Sequence, residues 1–441
     1  KGGGTVYIPA GNYLTGSIRL QNNITLFIDR GAVPIAAPLS DSAAYDAPEP
    51  ALNQYQDYGH SHFRNSLIWG EHLHDISVIG SGMIWGRGLV RNEQSGHRAA
   101  NKAIALLACR NVLLRDFTVS HGGWFGILAT GTDNLTIDNL LIDTNRDGMD
   151  IDCCQQVHIT NCTVNSPGDD GICLKSSFAL GYARASRDIT ITNCHVSGFI
   201  EGSVIAGTYL RDYKKAPTGR IKMGTESNGG FQNIAINNCV FDFCRGLALE
   251  TVDGALLEDI VISNITMRDV TNSPIFIRLG ARMRAPDSLK VGVCRRILIS
   301  QVNVYTGMDD SSASIISGIP GHDIEDLEMR NIHIWYKGGG IKQMAAVQVP
   351  EFENRYPEPN KFGVIPAYGF FIRHVNGLKM RDITVSYLQE DQRPPFILNQ
   401  VSNADLSDIR GQHPATINTF LLQQVAGLRV QNCEGLPNSV H

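Results

Sequence analysis

Apolar and polar residues alternate along most of this chain with a period of two, the signature of short strands with one buried face. One nine-residue pattern recurs: Asn or Asp, apolar, any, apolar, any, Asn or Asp, apolar, any, apolar. It reads NVLLRDFTV from Asn111, NLTIDNLLI from Asn134, QVHITNCTV from Gln156, DITITNCHV from Asp188, NIAINNCVF from Asn233 and DIVISNITM from Asp259. Weaker copies start at Arg296, Asp326, Gly377, Asn403 and Gly427. Several starts lie 22 to 24 residues apart, and the longer intervals read as insertions. A fixed period of this size marks a solenoid whose insertions fall on loops of one binding face.

No ten-residue helical pattern separates the copies, so leucine-rich and helical repeats fit poorly. Each copy predicts two short strands bent at the central Asn or Asp. Three such strands and their turns per 22 residues make a parallel β-helix. The recurrent Asn reads as structural, its amide bonding the equivalent residue one rung away in a ladder inside the turn. The two largest insertions are residues 204 to 225 and about 335 to 370. No Pro- or Ser-rich linker divides residues 1–441, so a single all-β domain is expected although the length alone would allow two or three.

Composition narrows the rest. Charged residues are only 18% against the usual quarter, and Gly, at 44 of 441, is in excess, as expected for paired strands joined by tight corners. A net charge of −5 excludes sequence-independent nucleic-acid binding, which needs a basic footprint. No run of about 18 apolar residues occurs, so no membrane-spanning helix is expected. The ten Cys include no C-x-x-C pair, and Cys162, Cys194 and Cys239 each follow an Asn, as a buried column of small side chains would. Lys1-Gly2-Gly3-Gly4-Thr5-Val6-Tyr7-Ile8-Pro9 has no initiator Met and reads as the interior of a domain. An upstream part is therefore expected, and a secretion signal could lie in it.

The candidate chemistry lies in carboxylates. Asp147 stands eight residues after Asn139, in Asn145-Arg146-Asp147-Gly148-Met149-Asp150. Asp169 stands eight after Asn161, in Asp169-Asp170-Gly171-Ile172-Cys173-Leu174-Lys175-Ser176. Equal offsets put Asp147 one rung below the Asp169–Asp170 pair, about 4.8 Å away by strand spacing. Three stacked carboxylates repel one another and raise at least one pKa. A fold has no structural reason for this arrangement, whereas a glycosidase needs one carboxylic acid and one carboxylate. Strand alternation forbids Asp169 and Asp170 from both facing out of a regular strand, so a bulge or strand end is required there.

These motifs resemble the N-T-D-G-x-D and D-D-C-I-x-I-K-S signatures of polygalacturonase-like glycoside hydrolases, family 28. GGGTVYIPAGNYLTGSIRLQNNITLFIDRGA and LIWGEHLHDISVIGSGMIWGRG are similar to that family's first coils, and the likeness extends to about residue 335. The resemblance implies a right-handed parallel β-helix, inverting hydrolysis of pectic or related polysaccharides, no metal or other cofactor, and a secreted or periplasmic location. It implies Asp169 as general acid, with Asp147 and Asp170 holding and activating the attacking water.

The sequence departs from that family where the substrate is held. The G-H-G expected one rung after the Asp pair is missing, and either Glu201 or, by another alignment, Gly219 stands at the His position. The family's R-I-K, which clamps a uronate carboxylate, becomes Ala248-Leu249-Glu250. Arg220 and Lys222, in an insertion, or Arg278, in IFIRLGARMR, are candidates to restore the lost charges. Glu226 and Glu250 are candidates for hydroxyl groups of a neutral sugar, and Trp124 for a platform under a sugar ring or, equally, for a packing residue. Large insertions favour a closed pocket and exo action. The alternatives are a polysaccharide lyase, with the Asp trio on calcium and Lys175 or Arg278 as base, and a non-catalytic glycan-binding solenoid.

Overall fold

The computed structural model describes residues 2–38, 45–50, 53–91, 99–307 and 313–440. Contacts group the chain into two compact units, residues 1–222 with 228–230, and residues 223–227 with 231–441. Strands and turns form both, with short 3₁₀ turns such as Tyr58–Ser61. No helix among the described residues is long and apolar enough to cross a membrane.

The first unit stacks its strands in three parallel columns. The first column runs through Ile68–Glu71, Lys102–Leu107, Phe125–Thr130, Asp147–Asp152 and Ile172–Ser176. The second runs through His74–Ile79, Arg110–Arg115, Asp133–Asp138, Gln155–Thr160 and Ser186–Thr192. The third contains Met83–Trp85, Thr118–Ser120, Leu141–Asp143, Thr163–Asn165 and His195–Ser197. Each repeat copy therefore supplies the second and third columns, and the first column lies between copies. Inward residues such as Ile127, Met149, Ile151, Val157, Ile159 and Leu174 are fully buried. Each such side chain contributes about 1.5–3 kcal/mol.

The second unit is built of long bent strands, among them Leu256–Arg268, Val293–Tyr305 and Ile324–Gly338. These pair in parallel with Ile260 opposite Ile297 and Ile297 opposite Leu327.

The bend residues explain the recurrent Asn and Asp. Asn111, Asn139, Asn161, Asn193, Asn238 and Asn264 all have φ between 54 and 56°. That left-handed conformation costs most residues about 1–2 kcal/mol and suits Asn and Asp best after Gly. The predicted amide ladder exists: Asn134 donates to Asn111 at 2.9 Å, Asn139 to Asp116 at 2.9 Å and Asn264 to Asn238 at 3.1 Å. It runs along the exposed surface of the coil rather than inside the turn. Cys162, Cys194 and Cys239 are buried free thiols, as the repeat predicts.

Candidate active site

Met149 pairs with Ile172 and Asp150 with Cys173, a register that sets Asp147 opposite Asp170. Gly148 confirms it by donating its N–H to the Asp170 carbonyl at 3.0 Å. Asp169 and Asp170 precede the Ile172–Ser176 strand and sit in its entry turn. The required strand end is thus present. One carboxylate oxygen from each of Asp147, Asp169 and Asp170 lies within 4.8 Å of the other two. The glycines of the two motifs permit this approach. A Cβ on Gly148 would meet the Gly171 carbonyl oxygen at 2.4 Å, and one on Gly171 would meet that of Gly219 at 2.9 Å.

The next rung places the balancing charges. Gly219 donates to the Asp169 carbonyl at 2.8 Å and Gly171 to that of Arg220 at 2.9 Å. Of the two alignments considered, this selects Gly219, not Glu201, as the residue stacked after the Asp pair. Arg220 and Lys222 accordingly belong to the rung itself, at the start of Ile221–Ser227, and not to an insertion. They are buried, and reaching a sugar would require leaving Asp170. The Arg220 Nε lies 2.8 Å from the Asp170 Oδ1 and the Lys222 Nζ 3.4 Å from its Oδ2. Burial pushes the Asp170 carboxyl up, but Lys222, Arg220 and Lys175 outweigh it and hold the group well below the usual range. Asp147 goes the other way. Burial, reinforced by the charges of Asp169 and Asp150, raises it well above the usual range.

The trio has neighbours that the sequence reading passed over. Arg146, inside the first motif, donates from Nη2 to Asp169 Oδ2 at 2.8 Å. His60, from the segment before Ile68, holds Asp150 through Nε2 at 3.0 Å, and Lys175 Nζ is 3.8 Å from the same carboxylate. Lys175 is thus buried against Asp150. Trp124 is buried as well, with its ring parallel to Phe125 and the Arg146 guanidinium 5.0 Å above it. It serves as a packing surface for Arg146 rather than as an open platform. Glu201 lies in the inserted loop and receives Arg91 through both carboxylate oxygens at 2.6 Å. Arg146 directly precedes Asp147 and was findable from the motif. His60 and Arg91 lie 90 and 110 residues from their partners, with no periodic link to them.

The remaining candidates lie in the second unit. Glu226 sits 3.8 Å from both Arg282 and Arg284, and Arg282 is bonded to Asp253. Glu250 is fully buried and accepts from the Thr225 hydroxyl at 3.1 Å. Arg278 does not form a basic wall. Its Nη1 and Nη2 bind Ser317 and the carbonyls of Gly318, Glu351 and Phe352, which fastens the inserted segment beside Arg373.

Comparison with known proteins agrees with this architecture. Residues 55–215 match the family model "Right handed beta helix region". A "Probable polygalacturonase" of Vitis vinifera is 25% identical over 284 residues, 61% of this chain. The match spans 54% of that relative, about half its length. The chain is an all-β parallel β-helix, similar in sequence to that polygalacturonase. Among solved structures, a family 28 exopolygalacturonase of Yersinia enterocolitica aligns with 98% of this chain and 73% of its own, at 16% identity and a TM-score of 0.63. A hyperthermoactive exopolygalacturonase of Thermotoga maritima aligns with 87% of this chain and 84% of its own, at 17% identity and a TM-score of 0.61.

Proposed function

We propose that this chain is a glycoside hydrolase that cleaves O-glycosidic bonds of pectic or related polysaccharides outside the cytoplasm. The observation that carries the reading is the Asp trio on adjacent rungs, with Asp147 and Asp170 pushed to opposite sides of the ordinary carboxylate range. Carboxyl groups held apart in this way are how a glycosidase keeps an acid and a base at one pH. Asp170 stays ionised and orients water. Asp169 is the solvent-facing member, 30% exposed, and meets the leaving oxygen as general acid.

The separation of at most 4.8 Å is short for inversion by the general spacing rule, in which retaining pairs lie about 5–5.5 Å apart. Neither neighbour of Asp169 makes a good nucleophile, however. Asp170 has Arg220 and Lys222 on its two oxygens, and burial disfavours the charged form of Asp147. Water is then the nucleophile and the product anomer is inverted. Exo action is supported by the covering of the first column. Ala105, Phe125 and Leu128 are fully buried against Phe63, with Tyr58 packed on the same cluster. Both covering residues come from the segment before Ile68, which closes the column on the side preceding Asp147.

The test is release of reducing ends from polygalacturonan, rhamnogalacturonan and branched pectic oligosaccharides. Asp169→Asn should nearly abolish turnover with an unchanged circular dichroism spectrum, and a wild-type rate would end the assignment. NMR of the first product formed should show the inverted anomer, and retention would make one of the carboxylates a covalent nucleophile.

A further inference from the structure

We propose that Arg146 is a recognition site for the carboxylate of an acidic sugar, a part given in the resembled family to residues this chain lacks. The inference rests on the hydrolase reading above and adds the class of sugar. Three cations close to the trio are unavailable to a ligand: Arg220 and Lys222 are buried on Asp170, and Lys175 is buried beside Asp150. Arg146 differs in being 33% exposed while touching the trio at Asp169. It makes one hydrogen bond among the described residues, through Nη2, so most of its five N–H donors are uncommitted.

Its plane is nevertheless fixed. The guanidinium stacks 5.0 Å over the Trp124 ring, and Trp124 is itself buried and parallel to Phe125, 5.7 Å away at 7°. A planar fork held in place by an aromatic face is suited to bidentate carboxylate binding and loses little freedom when it binds. An ion pair as exposed as Arg146–Asp169 contributes little to stability, so stability does not account for the arrangement. A cavity borders Asn145 and Gly168, the residues that precede Arg146 and Asp169 in the chain. Its volume is about 470 Å³, and Gly198, Ile200 and Glu201 also line it. This volume lies within the range of small-molecule sites.

The experiment compares Arg146→Gln with wild type on an oligogalacturonide and on its methyl ester. The expected result is a rise in KM for the free acid of about 10- to 100-fold, the range of a lost charge-assisted bond. On the ester, KM should stay within about twofold, and Arg146→Lys should fall between the two on the acid. Equal losses on acid and ester would overturn the inference and leave Arg146 a positioning residue for Asp169. Binding of both ligands to the Asp169→Asn protein, read by calorimetry, separates the two readings. Preference for the acid, lost when Arg146→Gln is added, supports the inference even if no hydrolysis is found. Equal binding of acid and ester refutes it even if hydrolysis is found.

Discussion

Replacing Arg220 by Met leaves Asp170 buried with one of its two bonded cations gone, while the chain volume beside it is largely kept. Removing one partner of a buried ion pair costs about 3–5 kcal/mol. Lys222 remains at 3.4 Å, so the lower end, about 3 kcal/mol, is expected. A neighbouring Arg lowers an Asp by about 1–3 pH units, and at 1.36 kcal/mol each the two estimates agree near 2 units. The sign follows from the direction of the shift. Asp170 is held below its unfolded value, so its contribution is present above the ordinary Asp range and lost only in strong acid. In Arg220→Met that loss moves up into measurable pH. The assay is kcat/KM against pH, with circular dichroism to verify the fold. The acid limb, outside the accessible range in the wild type, should appear about 2 pH units higher in the variant. An acid limb that superimposes on the wild type, with an intact fold, would refute Asp170 as the ionised base.

Lys102 is buried on the Asn101 amide and above the Phe125 ring, and burial lowers its pKa from 10.5 to about 7. That difference corresponds to roughly 5 kcal/mol of instability below pH 7, fading as pH rises to 10.5. Lys102→Met should remove the rise in urea resistance between pH 7 and 10, and an unchanged slope would count against it. The Asp143 carboxylate accepts the N–H groups of Gly202, Val204 and Ile205 at 2.9 to 3.1 Å. Asp143→Ala should cost about 3 kcal/mol and open the chain near residue 205 to limited proteolysis, whereas an unaltered cleavage pattern would show that the loop is held elsewhere. Excess EDTA should leave the rate unchanged, because Arg146, Arg220 and Lys222 already balance the trio. Chelator-sensitive release of unsaturated, ultraviolet-absorbing product would establish the lyase instead.

The solenoid was legible because its two regular columns follow local rules. Val157 and Ile159 point inward by simple alternation, and the bend requires a left-handed residue that Asn161 and Asn193 supply. The first column was harder to read. Its Lys102–Leu107 and Phe125–Thr130 strands are almost wholly buried because the segment before Ile68 covers them, so alternation gives way to continuous apolar sequence. The misplacement of Arg220 has a similar cause. The 22-residue count from Asn193 fails because residues 198–218 are inserted before Gly219, and only stacking on Asp169 and Gly171 identifies the true rung.

The site divides along the same line. Asp147 and Asp169 share an offset from the ladder, so their meeting is a consequence of the repeat. The charges around them follow an insertion of irregular length or stand at turns, so their distance in sequence from the trio carries no geometric meaning. That difference bears on how the trio is tolerated. Three carboxylates within 4.8 Å would repel one another if all were ionised. The rung above supplies Arg220 and Lys222 to favour the charged form of Asp170, while burial disfavours that of Asp147. Lys175 is engaged with Asp150, which His60 also holds. Arg220 and Lys222, which the sequence offered for substrate, therefore hold the carboxylate trio itself. Recognition of an acidic sugar then passes to the cation that touches the trio and still faces solvent, Arg146 on its Trp124 support.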